Sequence, residues 1–326
     1  MASRGRTLKY LAAALLAAFC LAFARTDTTE KSMVRAILLE QGETDWTVGL
    51  LYQAPEASAD SSEVSDGIGF AAAQGPNLER ALNNAASLLP LDANFRLCDY
   101  LLLLPGSSWQ TISEYESLVL TRQCGRTSAL MAACDFTCED LSEATEESGE
   151  LLTTLLQTLK QAQRSSPRLY ETRTDGGLLL PLLAVEEDVL SIQPEGWFLS
   201  RTEQTQWDAQ KTAVYRLLTG RSEEFTFWMG EHPLTLRRPL LSVAVKGDGS
   251  FAVRLDCQTA ADSADPTQKE LAQLGTLCTQ LLQERWQAGQ DLIGLGACAA
   301  LRDGSAARLD PTKNACPQLR TDVAVY

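Results

Sequence analysis

The sequence predicts an α+β fold of several domains, with mixed β-sheets packed with helices. Three observations carry this. The chain has 326 residues, more than one compact core usually holds, so two or three domains are expected. A strand, helix, strand succession between Cys98 and Phe136 implies an α/β unit with partly parallel pairing. The last hundred residues combine hairpin-forming strands with a long apolar-striped helix.

The elements follow in order. "MVRAILLEQGETDWTVGLLYQAP" reads as two strands joined by a turn at Gln41 to Thr44, and "SADSSEVSDG" as a loop. In "GPNLERALNNAASLLP", Leu78, Ala81, Leu82, Ala85 and Leu88 fall at helical spacing between Pro76 and Pro90. "CDYLLLLPGSS" is a continuous apolar run stopped by Pro105-Gly106, as expected of a strand buried on both faces. "SEYESLVLTRQC" reads as a helix and "TSALMAACDF" as a strand, after which the acidic "CEDLSEATEESGE" reads as a boundary. A helix is expected from Leu151 to about Ala162, then extended segments broken by Pro181 and Pro194.

"GWFLSRTEQTQWDAQKTAVYRLLTGR" is a short strand, a polar turn and an amphipathic helix ending at Gly220. Trp207, Ala213, Val214, Leu217 and Leu218 share its apolar side, and Asp208, Gln210, Lys211 and Arg216 its polar side. Beyond it, "FTFWMGEHPLTL" and "LLSVAVKGDGSFAVRLDC" are strands, the second a hairpin turning at Gly247-Asp248-Gly249. Asp265, with Pro266 behind it and Gln268 three on, is read as the cap of a helix. That helix carries Leu271, Leu274, Leu277, Cys278, Leu281, Leu282 and Trp286 and ends near Gly289, and "DLIGLGACAALRDG" is expected to return as a strand. These readings divide the chain into 1–24, a signal peptide or membrane-anchoring segment, and 25–138, an N-terminal α/β domain. A middle domain at 139–222 and a C-terminal α+β domain at 223–326 complete it.

The first segment carries Arg4, Arg6 and Lys9 ahead of an apolar run from Tyr10 to Ala24. That run falls short of the roughly 20 residues a spanning helix needs and fits a secretory signal, with Ala22-Phe23-Ala24 as the cleavage site. Cys20 is a candidate lipidation site, although Phe19 before it is not small. Cleavage after Ala24, lipid attachment and retention of the apolar segment all stay open. Removing the three cations takes the formal charge from −14 to −17. Nucleic acid is therefore excluded as a partner, because phosphate binding needs clustered Lys and Arg.

Eight cysteines lie beyond Cys20. Export permits disulfides, but the density is too low for a disulfide scaffold, and the expectation is mostly buried thiols with one or two bridges open. Cys134 and Cys138 are four apart, no CxxC occurs, and His232 is the single histidine, so no metal site is predicted. No GxSxG elbow accompanies His232, which reads as a polar residue in a turn before Pro233. The carboxylate pairs Glu146-Glu147 and Glu186-Glu187-Asp188 read as solvated surface. The Gly-x-Gly of "GLGACAALRDG" lacks the rest of a dinucleotide motif, and no cofactor is expected. No catalytic residue is assigned, and the chain is read as a non-enzyme.

The order of elements resembles the Ger(x)C family, the C subunits of spore nutrient germinant receptors. "NLERALNNAASLL" followed by "LCDYLLLLPGSS" looks like the family's helix and next strand, and "RTSALMAAC" like the strand after it. Residues 179–221 resemble the segment in which a Gly-x-x-Phe strand leads into a helix ending in Gly, here with Gly196, Phe198, Trp207 and Gly220 and a shorter Gly-to-Phe spacing. "LGTLCTQLLQERWQAGQDLIGLG" resembles the C-terminal helix running into an Asp-x-x-Gly-x-Gly strand, here Asp291, Gly294 and Gly296. The resemblance implies a Ger(x)C-like fold and a role in spore germination without catalysis. It implies membrane-embedded receptor subunits as partners and association with the membrane through a lipid or the N-terminal segment. It also implies export to the outer face of the cytoplasmic or spore inner membrane. The basic character common in the family is absent. A secreted solute-binding protein, which needs a cleft, is the alternative, and a hydrolase using two converging carboxylates a further rival.

Overall fold

A computed structural model describes residues 31–53, 67–147, 150–173, 176–186, 189–229, 232–260, 263 and 265–326. The N-terminal segment with Cys20, the loop expected at 58–67 except Gly67, and most of Glu186-Glu187-Asp188 lie outside the described residues.

The first sheet begins with β1 (Ser32–Gln41), β2 (Trp46–Gln53) and β3 (Ile68–Gly75), an antiparallel meander in which β3 is a strand the sequence reading passed over. The helix α1 (Leu78–Ser87) and the short β4 (Ala93–Asn94) lead to β5 (Tyr100–Leu103), which pairs parallel with β1. Then come α2 (Trp109–Arg122) and β6 (Leu130–Cys134), parallel to β5. The acidic stretch read as a boundary is instead α3 (Cys138–Glu147), followed by α4 (Glu150–Ala162). Thr137 explains α3: its N–H donates to Asp140 Oδ2 at 2.7 Å and its hydroxyl accepts from Asp140 N at 3.2 Å, while Leu141 is buried. Next are β7 (Gly177–Glu186), parallel to β6, and the antiparallel β8 (Val189–Ser200) and β9 (Gln204–Trp207). The sheet order is β3-β2-β1-β5-β6-β7-β8-β9, with β4 beside β1. Pairing thus runs across residue 138, and residues 32–207 share one sheet.

Pro181 and Pro194 do not break these strands. The register shifts between Pro181 and Leu183, with Pro194 inside the irregular stretch opposite, and a bulge needs no N–H from either ring. Alternate residues of β5 enter two cores: Leu101 and Leu103 meet α1 and α2, whereas Tyr100 and Leu102 meet α3 and α4.

From β9 the chain enters α5 (Ala209–Thr219) and a second sheet, β10 (Glu224–Met229), β11 (His232–Val245), β12 (Phe251–Thr259) and β13 (Leu319–Val325). The last strand, unread in the sequence, is parallel to β12. His232 stands in β11 opposite Met229 rather than in a turn. Between β12 and β13 lie α6 (Gln268–Gln287) and α7 (Leu295–Asp303). The cap of α6 is Thr267, not Asp265: Thr267 accepts from Glu270 N and Glu270 accepts from Thr267 N. The expected final strand is α7, whose first N–H groups are taken by Asp291. The fold is α+β, two mixed sheets packed with helices.

Candidate functional site

The strand, turn and helix at 196–221 form the joint between the two sheets. Ser200 closes the turn, its hydroxyl accepting from Glu203 N at 2.9 Å and Thr202 N at 3.2 Å. This returns β9 along β8, so that Gly196 faces Trp207. The Phe198 and Trp207 rings stack at 4.3 Å between centroids, and Tyr215 meets Trp207 edge-on at 5.8 Å. Gly196 is needed for closeness: a Cβ there would stand 2.8 Å from the Leu179 side chain and 3.0 Å from Thr212 Oγ1. Asp208 caps α5 by accepting from Lys211 N at 2.7 Å, and Gly220, at φ 66°, ends it.

The second sheet's helix supplies the other half of the joint. Arg285 of α6 is only 3% exposed, its guanidinium 4.8 Å from the Phe198 ring centroid and 5.1 Å from that of Trp207. It donates to Glu203 at 2.8 Å and Glu284 at 2.6 Å. Lys211 Nζ lies 4.4 Å from the Trp207 ring and 2.6 Å from Glu284. Burial alone would push the Glu284 carboxyl up, but the hydrogen bonds from Lys211 and Arg285 outweigh it and hold the group below its usual range. Arg216 departs from the expected polar side, since one guanidinium nitrogen is buried without a hydrogen-bond partner and burial lowers its pKa to about 10.

Beside this joint lies a cleft of about 1100 Å3. Its walls are the start of β7 at Gly176-Gly177, the end of α5, the loop Gly289 to Gly294 and the segment Arg308 to Asn314. The motif residues gather here. Asp291 and Gly294 line the cleft, and Gly220 falls between the lining residues Thr219 and Arg221. Gly196, Phe198 and Trp207 form the joint next to it, and Gly296 stands behind, where a Cβ would come 2.1 Å from the Leu309 carbonyl oxygen. Asp291 is committed to α7, accepting from Leu295 N at 2.7 Å and Gly296 N at 2.8 Å. Arg221 pairs with Glu171, and Asp310 accepts from the Thr312 hydroxyl and N–H, which hold its carboxyl below the usual range.

Gln290 brings a buried, unpartnered group to this lining. Gln290 is 6% exposed, yet its buried Oε1 has no hydrogen-bond partner. Neither Gln290 nor Arg285 was singled out from sequence. Arg285 carried a signal, for it takes a buried place in the apolar row Leu271, Leu274, Cys278, Leu281. Gln290 carried none.

The eight cysteines are free, and burial pushes Cys98, Cys257 and Cys278 up to about 12. These three fill core rather than supply thiolate at neutral pH. Among the described residues no three metal-ligating side chains converge, and no helix is long and apolar enough to cross a membrane.

Fold and site together define an α+β protein of two mixed sheets, joined through a buried aromatic and cationic cluster beside an open cleft. No family model and no curated protein sequence matches the chain. Among solved structures it is similar to the crystal structure of the GerBC protein, at 9% identity and a TM-score of 0.39, over 88% of this chain and 96% of that one.

Proposed function

We propose that the chain is a non-enzymatic, C-subunit-like component of a spore nutrient germinant receptor. It is exported and membrane-associated, at the outer face of the cytoplasmic or spore inner membrane. There it assembles with membrane-embedded subunits to trigger germination. The observation that carries this reading is the order in which the passages resembling the Ger(x)C family occur, from Asn77 to Gly296. Those passages supply α1, β5, β6, β7 to α5, and α6 with its following loop, elements that contribute to each of the three larger cores and to the joint. A joint of stacked rings and paired charges suits a scaffold that holds two surfaces in fixed relation. Deleting the protein abolishes the response of spores to at least one nutrient. An unchanged response in a strain with no second copy contradicts the reading.

The cleft favours a second reading, secreted solute binding. It has the volume for a small ligand, and Gln290 Oε1 lacks a donor there. Titration of the isolated protein with a nutrient panel separates the two: micromolar affinity for one solute, lost in Gln290→Leu, supports solute binding.

A further inference from the structure

A second pocket opens at the carboxyl ends of the parallel strands β5 and β6, the position where sheets with parallel strands bind ligands. It holds about 310 Å3, the lower end of small-molecule sites. Leu103, Leu104, Ala133 and Leu182 give it apolar walls, and the half-buried Trp197 adds an aromatic face.

The rim is fixed without a ligand. Ser107 donates to the Leu39 carbonyl at 2.7 Å, and Gln204 Nε2 donates to the Ser107 carbonyl at 2.8 Å. Gly106 takes φ 84°, and a Cβ on it would stand 2.3 Å from the Gln41 carbonyl oxygen, so the loop after β5 is pressed onto the end of β1.

The charge is one-sided. Of the residues lining the pocket, Asp135 alone carries a formal charge, and no lysine or arginine is among them. Burial pushes the Asp135 carboxyl up; N–H groups of Val185 and Asp135 itself oppose this, and the nearby Glu186 and Asp140 reinforce it. An anion is repelled here, and a cation supplies what the carboxylate lacks. The aromatic face favours the same sign of charge.

We propose that this pocket binds a small organic ammonium ion, its apolar body against Trp197, Leu104 and Leu182 and its ammonium group on Asp135. Asp135 is exposed at the mouth, so solvent weakens the ion pair and affinity on the order of millimolar is expected.

The test is a ligand-observed NMR titration of the full chain with three probes of matched shape: isoamylamine, isoamyl alcohol and isovalerate. The expected order is amine above alcohol, with isovalerate weakest. Asp135→Asn weakens the amine by roughly two- to fivefold, the worth of an exposed ion pair, and leaves the alcohol unchanged. Trp197→Leu weakens amine and alcohol together. Equal affinity for amine and alcohol, tighter binding of isovalerate, an unchanged amine affinity in Asp135→Asn, or no binding by any probe up to roughly a hundred times the expected constant overturns the proposal. Because Asp135 is exposed, Asp135→Asn keeps the fold, which circular dichroism checks.

Discussion

In β5, Leu101 is buried in one core and Leu102 in another, whereas in β12 Val253 and Leu255 are buried and Arg254 between them is exposed. The first sheet has helices on both faces. The second has α5, α6 and α7 on one face, and its other face carries ion pairs such as Arg254 with Asp256 and Arg320 with Asp322. Leu240, 61% exposed, stands opposite Asp256, and Trp228, 64% exposed, lies on the edge strand β10. The difference shows how one composition yields two kinds of strand: a continuous apolar run where both faces are covered, alternation where one is. The joint belongs to both sheets, since Phe198 and Trp207 of the first share a core with α6 of the second.

Breaking that shared joint has the largest expected effect. Arg285→Ala removes two charge-assisted hydrogen bonds, to Glu203 and Glu284, together with a buried side chain, and destabilises by about 3–5 kcal/mol, whereas Arg285→Met, which keeps the volume, costs less. Urea unfolding checks this, and in Arg285→Ala the single transition separates into one for each sheet. The two kinds of strand are separated by neighbouring substitutions. Leu101→Ala and Leu102→Ala each cost about 2–5 kcal/mol, while in β12 Leu255→Ala costs as much and Arg254→Ala stays within about 0.5 kcal/mol. Equal tolerance at Leu102 and Arg254 removes the distinction.

Smaller effects sharpen the second sheet's helix. Thr267→Ala costs about 1 kcal/mol and Asp265→Ala nothing measurable, because the hydroxyl of Thr267 holds the first turn. Thermal unfolding between neutral and acid pH tests Glu284. Its folded pKa is depressed, so its contribution is present above the unfolded pKa and is lost as pH falls through the folded one. Glu284→Gln therefore lowers the midpoint at neutral pH and narrows its gap to the unsubstituted protein in acid.

How much of this the sequence disclosed follows the same division. The run at β5 announced two covered faces, and the spacing of α1 and α6 announced their apolar sides, because period and length are local properties. The helix α3 was hidden by its acidic composition, since its cap is one Thr-Asp pair and its anchor there is Leu141. The strand β3, "IGFAAAQG", has only Ile68 and Phe70 of the branched and aromatic types that mark strands, the rest being mostly Ala and Gly, which strands disfavour. Helix α7 was hidden because Asp291 caps it from four residues ahead across Gly294, a turn that alternation alone does not display. The candidate site was legible in its glycines and Asp291 but not in Gln290, whose meaning comes from burial between β7 and the loop after α6.

The most direct test of the receptor reading is crosslinked capture of the tagged protein from spore membranes, with the partners identified by mass spectrometry. Assembly predicts that two membrane-embedded subunits are recovered with it. Recovery of the protein as a free soluble chain contradicts that reading.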